Sequence, residues 1–374
     1  MSVCVRCVLD ESANVTFDAD GVCTFCHFLD NRKLAVSPAN REAEFARIVR
    51  QIKELGRGRR YDCVMGLSGG IDSSYAVLVA VRAGLRPLVV HVDNGWNTEL
   101  AVLNIERVVR GLDLDLVTHV IDWEEFRGIQ LSLLRAGVVD LELVSDHAII
   151  AGMYHTARRQ RLKVIVTGDN EATESVLPEG WNHHRKTDLR NIRAINRAYE
   201  RAPMTTFPAL SSVGVALHRR LLGIRNIGLL SYTDYNKERA FTELERAVGY
   251  RRYAGKHFES VITRFYQGYI LPTKFGIDKR RYHYSLLIRS GQMTREEALA
   301  DLENPPYPPH LAAADKIYVC KKFGISVEEF DRMMREPPRP HSDFASDDAL
   351  MRRLIGLLAR ARSVRARVKV FTGV

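Results

Sequence analysis

Seven consecutive residues, Ser68-Gly69-Gly70-Ile71-Asp72-Ser73-Ser74, combine the types that a phosphate grip requires. Adjacent glycines accept positive φ and let the backbone approach an anion closely. Successive N–H groups in such a turn form an anion-binding nest, and a helix starting there adds its positive end. The hydroxyls of Ser68, Ser73 and Ser74 supply further donors. Asp72 would repel a phosphate unless a cation lay between them, so it reads as a magnesium ligand. The run lacks the GxxxxGK[ST] spacing of a Walker A loop.

A second set of chemistry-bearing residues is Cys4, Cys7, Cys23 and Cys26, two C-x2-C pairs within the first 26 residues. The spacing fits a zinc ribbon in which each knuckle gives two thiolates to a tetrahedral ion. Gly21 suits the tight turn of the second knuckle. Four thiolates complete the shell, which leaves the adjacent His27 outside it. A segment this small has no core of its own, so the metal would supply much of its stability.

The elements that must hold these groups follow from periodicity. Phe45, Ile48, Val49, Ile52 and Leu55 recur at helical spacing before Gly56 and Gly58. The pattern then predicts strands at Tyr61–Leu67, Pro87–Val92, Leu114–Ile121 and Lys163–Thr167. Helices are expected at Ile71–Ala83, Thr98–Arg110 and in the stretch up to Gln160. Such alternation implies an α/β fold with a doubly wound parallel sheet covered on both faces. Ligands then bind outside the carboxyl ends of the strands. Val92 and Asp93 end the second strand; Gly168 ends the fourth, where it would let a ribose-phosphate approach. Glu174 lies just beyond, as a candidate second magnesium ligand or base.

After Tyr232 the chain reads as mainly helical, with prolines at 305, 306, 308 and 309 marking joints. The expected organisation is a zinc ribbon (1–35), a linker helix (36–58), a phosphate-loop α/β domain (59–245), a helical substrate region (246–340) and a basic C-terminal helix or tail (341–374). Trp181 reads as core rather than as a stacking platform.

The net charge of +10 resides largely in the tail. From Ala349 to Val374 there are seven basic residues and no acid, and without them the chain carries +3. The body therefore lacks the electrostatic footprint of a nucleic-acid binder. The longest apolar runs, such as Ala76–Val81, are far short of the ~20 residues of a membrane span. No signal-peptide pattern opens the chain, so a cytosolic protein with reduced cysteines is expected.

The run SGGIDSS between strand and helix resembles the PP-loop of ATP pyrophosphatases, which cleave ATP between its α and β phosphates and adenylylate an oxygen of the acceptor. Longer strings extend the likeness: CVRCVLDESANVTFDADGVCTFC, TGDNEATESVLPEGWNHHRKTDLRNIRAI and YRRYAGKHFESVITRFYQGYILPTKFGIDKRRYHYSLLIRSGQMTREEAL. Together with the loop they resemble the N-acetyl sugar amidotransferase family of the WbpG-like kind, from Cys4 to about Pro308. The resemblance implies an adenine nucleotide alpha hydrolase-like fold, with ATP, Mg2+ and Zn2+ as cofactors. It implies conversion of an acetamido group on a nucleotide-activated bacterial sugar to an acetamidino group. ATP would be held by Ser68, Gly69, Gly70, Asp72, Ser73, Ser74, Val92, Asp93 and Gly168. The third string is rich in anion-binding side chains interleaved with aromatics. Lys256, His257, Glu259, Arg264, Arg280 and His283 are therefore expected to hold the sugar nucleotide. Lys274 or Lys279 is expected to stabilise charge on the α-phosphate, beside the catalytic Asp72 and Glu174.

A glutaminase needs a nucleophilic cysteine with a partner base, or an N-terminal cysteine. Residue 2 is serine, and Cys63 and Cys320 lie in apolar surroundings in the sequence. Ammonia is thus expected from a separate glutaminase, with a channel-forming barrel protein as a further partner that the resemblance suggests. Two other readings remain at this stage. One is a tRNA-modifying PP-loop enzyme, a thiolase or lysidine-type ligase. The other is a non-catalytic zinc-ribbon module with a vestigial nucleotide fold.

Overall fold

The computed structural model describes residues 2–31, 37–170, 177–181, 183–255 and 257–353. Five parallel strands form one sheet: β1 (Cys63–Gly66), β2 (Pro87–Asp93), β3 (Leu116–Val120), β4 (Val164–Thr167) and β5 (Arg225–Gly228). Their spatial order is β3-β2-β1-β4-β5. Val64 of β1 pairs with Leu88 of β2 on one side and Ile165 of β4 on the other. The four expected strands are present, each within a few residues of its expected bounds.

Successive residues of a strand point to opposite faces, and the core divides accordingly. Val64, Val90, Val92 and Ile165 face one apolar cluster, with the helices Trp123–Ala136 and Leu143–Arg159. Cys63, Met65, Val89, Val164 and Val166 face the other, with Ile71–Arg82, Glu99–Gly111 and Lys237–Val248. The helix Arg41–Leu55 buries Ile48, Val49 and Ile52 in this second cluster, so it is a packed layer of the α/β body. The chain winds from β1 out to β3 on one face, then crosses back to β4 on the other. The strand order therefore switches between β1 and β4, where the carboxyl ends open a crevice.

The fifth strand has no counterpart in the sequence reading. It is a four-residue edge element, RNIG, with two exposed and two half-buried positions. Such a strand carries neither a continuous apolar run nor a clean alternation, and its backbone pairing with β4 makes it a strand.

The cysteine segment docks against the helix Lys279–Arg289 and its neighbour Arg295–Leu302. Arg295 donates to the carbonyls of Cys4 and Cys7 at 3.0–3.1 Å. Arg281 pairs with the buried Asp10 at 2.9 Å, and Arg289 with Asp30 at 2.5 Å. Trp181 is buried, and its indole N–H donates to the Ser12 carbonyl at 2.8 Å, as expected of a core residue. Most of the basic tail, residues 354–374, lies outside the described residues. Among those described, no helix is long and apolar enough to cross a membrane.

Candidate active site

The SGGIDSS run turns directly from β1 into the helix Ile71–Arg82. Ser73 Oγ lies 3.0 Å from Ser68 Oγ and bonds the Ser68 amide (3.2 Å) and the Gly70 carbonyl (3.2 Å). The loop is thereby closed on itself. Gly70 is the N-cap and offers no side chain, so the first-turn amides remain available to an anion. Gly69 has φ +82, and a Cβ there would meet the Ala101 carbonyl oxygen at 2.7 Å. Its glycine requirement is thus set by the neighbouring helix as well as by the turn. Its own carbonyl accepts from the hydroxyls of Tyr250 and Tyr253, both at 2.9 Å.

Two adjoining cavities of about 510 and 650 Å³ meet over this loop. Both are lined by Ser68, Ser73, Gly168, Asp169, His257 and Glu259. Asp72 lines the smaller, and one of its oxygens accepts from the Tyr235 hydroxyl. A Cβ on Gly168 would meet the Asp72 backbone at 2.9 Å, so the end of β4 touches the loop only because that residue is glycine. Lys237, Arg252, His283 and Tyr284 complete the smaller cavity.

The larger cavity has two halves. Val90, Val92, Ile149, Ile150, Met153 and Ile165 form an apolar slot suited to a flat heterocycle. Glu142, Asp146, Lys186, Gln267 and Lys279 form a polar end. Burial alone would raise the Asp140 carboxyl, but Lys186 and His183 hold it below its ordinary value. Burial would lower Lys186, yet Asp146 and Asp140, each 2.8 Å away, hold it well above. Lys186 is therefore a fixed positive charge at the cavity wall. His91 Nδ1 donates to the Leu67 carbonyl at 2.9 Å, and burial pushes the ring below its ordinary value. A neutral imidazole thus braces β2 against the loop.

The C-terminal segment reaches the loop by stitching itself to the helix Glu99–Gly111. Thr98 N donates to Glu259 O at 2.9 Å, Val261 N to Trp96 O at 3.0 Å, and Asn104 exchanges two bonds with Arg251. His257 has φ +62, strained for a side chain of its size. Its Nδ1 lies 3.4 Å from Glu259 Oε1, and its Nε2 is buried without a partner among the described residues. The ring nitrogen thus offers a polar contact at the cavity wall.

Of the expected site residues, Ser68, Gly70, Asp72, Ser73, Val92, Gly168, His257, Glu259, Lys279 and His283 line the crevice. Glu174 and Lys256 lie outside the described residues. Others are corrected by their positions. Ser74 is fully buried beneath the loop. Asp93 Oδ1 is spent on Gly95 N (2.9 Å) and Asn97 (3.2 Å) in the turn after β2. Lys274 donates to the carbonyls of Met333 and Glu336, away from the crevice. Arg280 is held by Asp278 and by the Asp301 carbonyl.

Arg264 makes a two-pronged pair with the buried Asp315 at 2.7 and 2.8 Å. Replacing Arg264 with alanine strands that carboxylate. A loss of about 3 kcal/mol in urea unfolding, with no change in KM for any substrate, is the expected result. A raised KM at unchanged stability would return Arg264 to the binding site.

Lys186, Lys237, Arg252, Glu142 and Gln267 were not singled out from the sequence. Lys186 stands in a string already notable for its charge; the others carry no local signal.

The cysteine cluster is separate. The four cysteine Sγ atoms lie within 4.8 Å of one another and are buried. Cys4–Cys26 and Cys7–Cys23 are 3.9 and 3.8 Å apart. A tetrahedron with metal–sulfur bonds of about 2.3 Å has edges of about 3.8 Å, so the set fits a zinc ion. Backbone amides of Leu9, Cys23 and Cys26 point at the sulfurs at 3.3–3.4 Å and would stabilise thiolates. His27 turns away to Asp18 at 2.7 Å. The two remaining thiols are also buried. Burial pushes Cys63 up, and Cys320 up to about 11, so neither is a ready nucleophile.

Strand order, loop and switch-point crevice define a PP-loop α/β protein with an N-terminal four-cysteine cluster and a mainly helical C-terminal region. Residues 259–358 match the family model for the LPS biosynthesis protein WbpG-like C-terminal domain. Over that stretch the chain is similar to the WbpG-like family, in line with the resemblance read from the sequence. No curated protein sequence matches the chain at a significant level. Among solved structures it is similar to the NMN synthetase from Francisella tularensis (13% identity, TM-score 0.30, covering 60% of this chain and 100% of that one). It is also similar to the NH3-dependent NAD synthetase from Campylobacter jejuni (12%, 0.30, covering 76% and 97%). A third similar structure is the glutamine-dependent NAD+ synthetase from Acinetobacter baumannii (14%, 0.29, covering 66% and 51%).

Proposed function

We propose that the chain is an AMP-forming C–N ligase that turns the acetamido group of a nucleotide-activated N-acetyl sugar into an acetamidino group, for a bacterial O-antigen or related surface glycan. The observation that carries this reading is a meeting of two segments in one crevice. The SGGIDS loop with Asp72 supplies one wall. Glu259, Lys279 and His283 of the WbpG-like segment supply the other.

An amide oxygen is a poor leaving group. Its attack on the α-phosphorus of ATP expels pyrophosphate and leaves AMP bonded to that oxygen. Ammonia then adds at the carbon, and AMP departs with the oxygen. The apolar slot suits adenine, and the loop amides with Ser68 and Ser73 suit the departing pyrophosphate. Lys237 and His283 suit the diphosphate of the sugar nucleotide, while Arg252 beside them is held by Glu238 and Glu245. A magnesium ion held by Asp72, with Asp169 close by on the same wall, would offset the phosphate charge. Ammonia would come from a separate glutaminase, supported by the burial of every described cysteine. A barrel-type channel subunit and a cytoplasmic location complete the reading.

The test offers purified protein ATP, Mg2+, high ammonium and a panel of nucleotide-activated N-acetylated sugars, with mass spectrometry of the products. AMP, pyrophosphate and a sugar whose oxygen has become NH are expected together. Pyrophosphate release with every sugar unchanged would move the acceptor elsewhere, and tRNA would be tried next.

A further inference from the structure

Resting on that reading, we propose that Glu142 takes the proton from ammonium at the polar end of the crevice and so delivers ammonia as the nucleophile. Glu142 immediately precedes the helix Leu143–Arg159 and faces the larger cavity. Four carboxylates line that cavity, and three are otherwise engaged. Asp146 pairs with Lys186 at 2.8 Å, Glu259 faces the His257 ring at 3.4 Å, and Asp169 accepts from the Thr167 hydroxyl at 2.8 Å beside the phosphate loop. Glu142 instead accepts a hydrogen bond from a neutral group, the Gln267 amide, at 3.1 Å. That bond fixes the carboxyl without neutralising it and leaves the Gln267 oxygen to receive an N–H.

The surroundings also tune the group for the task. Burial pushes the Glu142 carboxyl above its ordinary value; Lys279 opposes this, Asp146 adds to it, and His257 and Lys186 oppose it without cancelling it. An ordinary carboxylate is too weak a base for ammonium at neutral pH, and a raised one narrows the gap. The step balances as follows. Ammonium gives one proton to the Glu142 carboxylate, and the freed lone pair forms the C–N bond to the carbon that bears the O-adenylyl group. The C–O bond breaks with its electron pair going to AMP. One further N–H proton leaves on the AMP phosphate, and the product is the amidinium.

The experiment compares wild type with Glu142→Gln in three assays, using the acceptor identified above. Acceptor-dependent ATP–pyrophosphate exchange reports adenylylation, which needs no base at this position. Amidine formation from ammonium reports the whole reaction. Hydroxylamine, already neutral at pH 7, replaces ammonium without needing to lose a proton first. The variant is expected to keep exchange, to lose roughly 10²-fold with ammonium at pH 7, and to keep most of its rate with hydroxylamine. Equal losses with both nucleophiles, or no loss with ammonium, would overturn the assignment. A wild-type measurement guards against a misfolded variant. With an internal base, kcat/KM for total ammonium rises much less than tenfold per pH unit between pH 7 and 8.5. A full tenfold rise, tracking free ammonia, would also overturn it. Absence of exchange in the wild type would instead remove the ligase reading itself.

Discussion

Asp72→Ala is expected to lower acceptor-dependent pyrophosphate release by about 10³-fold, roughly 4 kcal/mol of transition-state stabilisation. The thermal midpoint should stay within a degree or two. Asp72 stands in the first turn of the helix Ile71–Arg82 and lines the smaller cavity. An acid there is unfavourable for phosphate binding, because it adds negative charge to an anion nest. A cation brought by Asp72 to the departing pyrophosphate would account for its presence, as the proposed function requires. The Tyr235 hydroxyl fixes one of its oxygens, leaving the other to face the cavity. Tyr235→Phe should therefore reproduce a small part of the loss through orientation alone. If Asp72→Ala releases pyrophosphate at the wild-type rate, Asp72 does not hold the catalytic cation and its assignment falls. A non-catalytic nucleotide module would instead bind ATP and release no pyrophosphate in either form, so the same assay separates the two classes.

The sheet was legible because its central strands are buried on both faces and read as continuous, mostly apolar runs. Pro87–Asp93 is such a run, buried at every position but the last. The edge strands differ. Leu116–Val120 alternates between exposed and half-buried and was still recognisable, whereas Arg225–Gly228 owes its existence to pairing with β4 and has no pattern to read. Likewise the helix Arg41–Leu55 shows its amphipathic face in sequence, but not what that face meets. Periodicity identifies a buried stripe and is silent about the partner.

The candidate site was legible where chemistry depends on local spacing. The phosphate loop and the cysteine pairs are contiguous or nearly so, and their residues converge as the spacing requires. The distant basic residues were not separable by sequence. Lys279 and Arg280 are neighbours of the same charge type, yet Lys279 lines the cavity while Arg280 is held by Asp278 and Asp301. One residue on a helix turns the side chain by about 100°, so adjacent positions serve different faces. Arg264 and Lys274 mislead for the same reason, since each spends its charge on the scaffold. Glu142 had no signal at all. Its setting is built by Gln267, Lys279, Asp146 and His257, residues scattered over more than a hundred positions of chain.

Stripping the cysteine cluster of its metal, or replacing Cys7 with serine, is expected to reduce activity at least tenfold before the sheet unfolds. The reason lies in the helix Lys279–Arg289. Arg281, Ser285 and Arg289 recur every four residues and hold the cysteine segment: Arg281 at Asp10 and the Val8 carbonyl, Ser285 at the Val8 amide, Arg289 at Asp30 and the Leu29 carbonyl. His283, Tyr284 and Leu287 on the same helix line the smaller cavity. The ribbon is thus a backing plate for one wall of the crevice. Its few apolar side chains, Leu9, Val15, Phe25 and Leu29 among them, pack into the larger cluster that includes Tyr282 and Leu286, and a bound structural zinc contributes on the order of 10 kcal/mol to folding in segments of this kind. Loss of the ion would release the ribbon from one side of the helix and let His283 and Tyr284 shift on the other. Calorimetry should show an early, small transition appearing after chelation, with KM for ATP or acceptor rising and both effects reversed by added zinc. The phosphate loop, braced by Tyr250, Tyr253 and His91 instead, should retain its affinity for pyrophosphate. If metal removal melts the protein in a single lower transition, or leaves turnover untouched, the ribbon is not the support this packing describes.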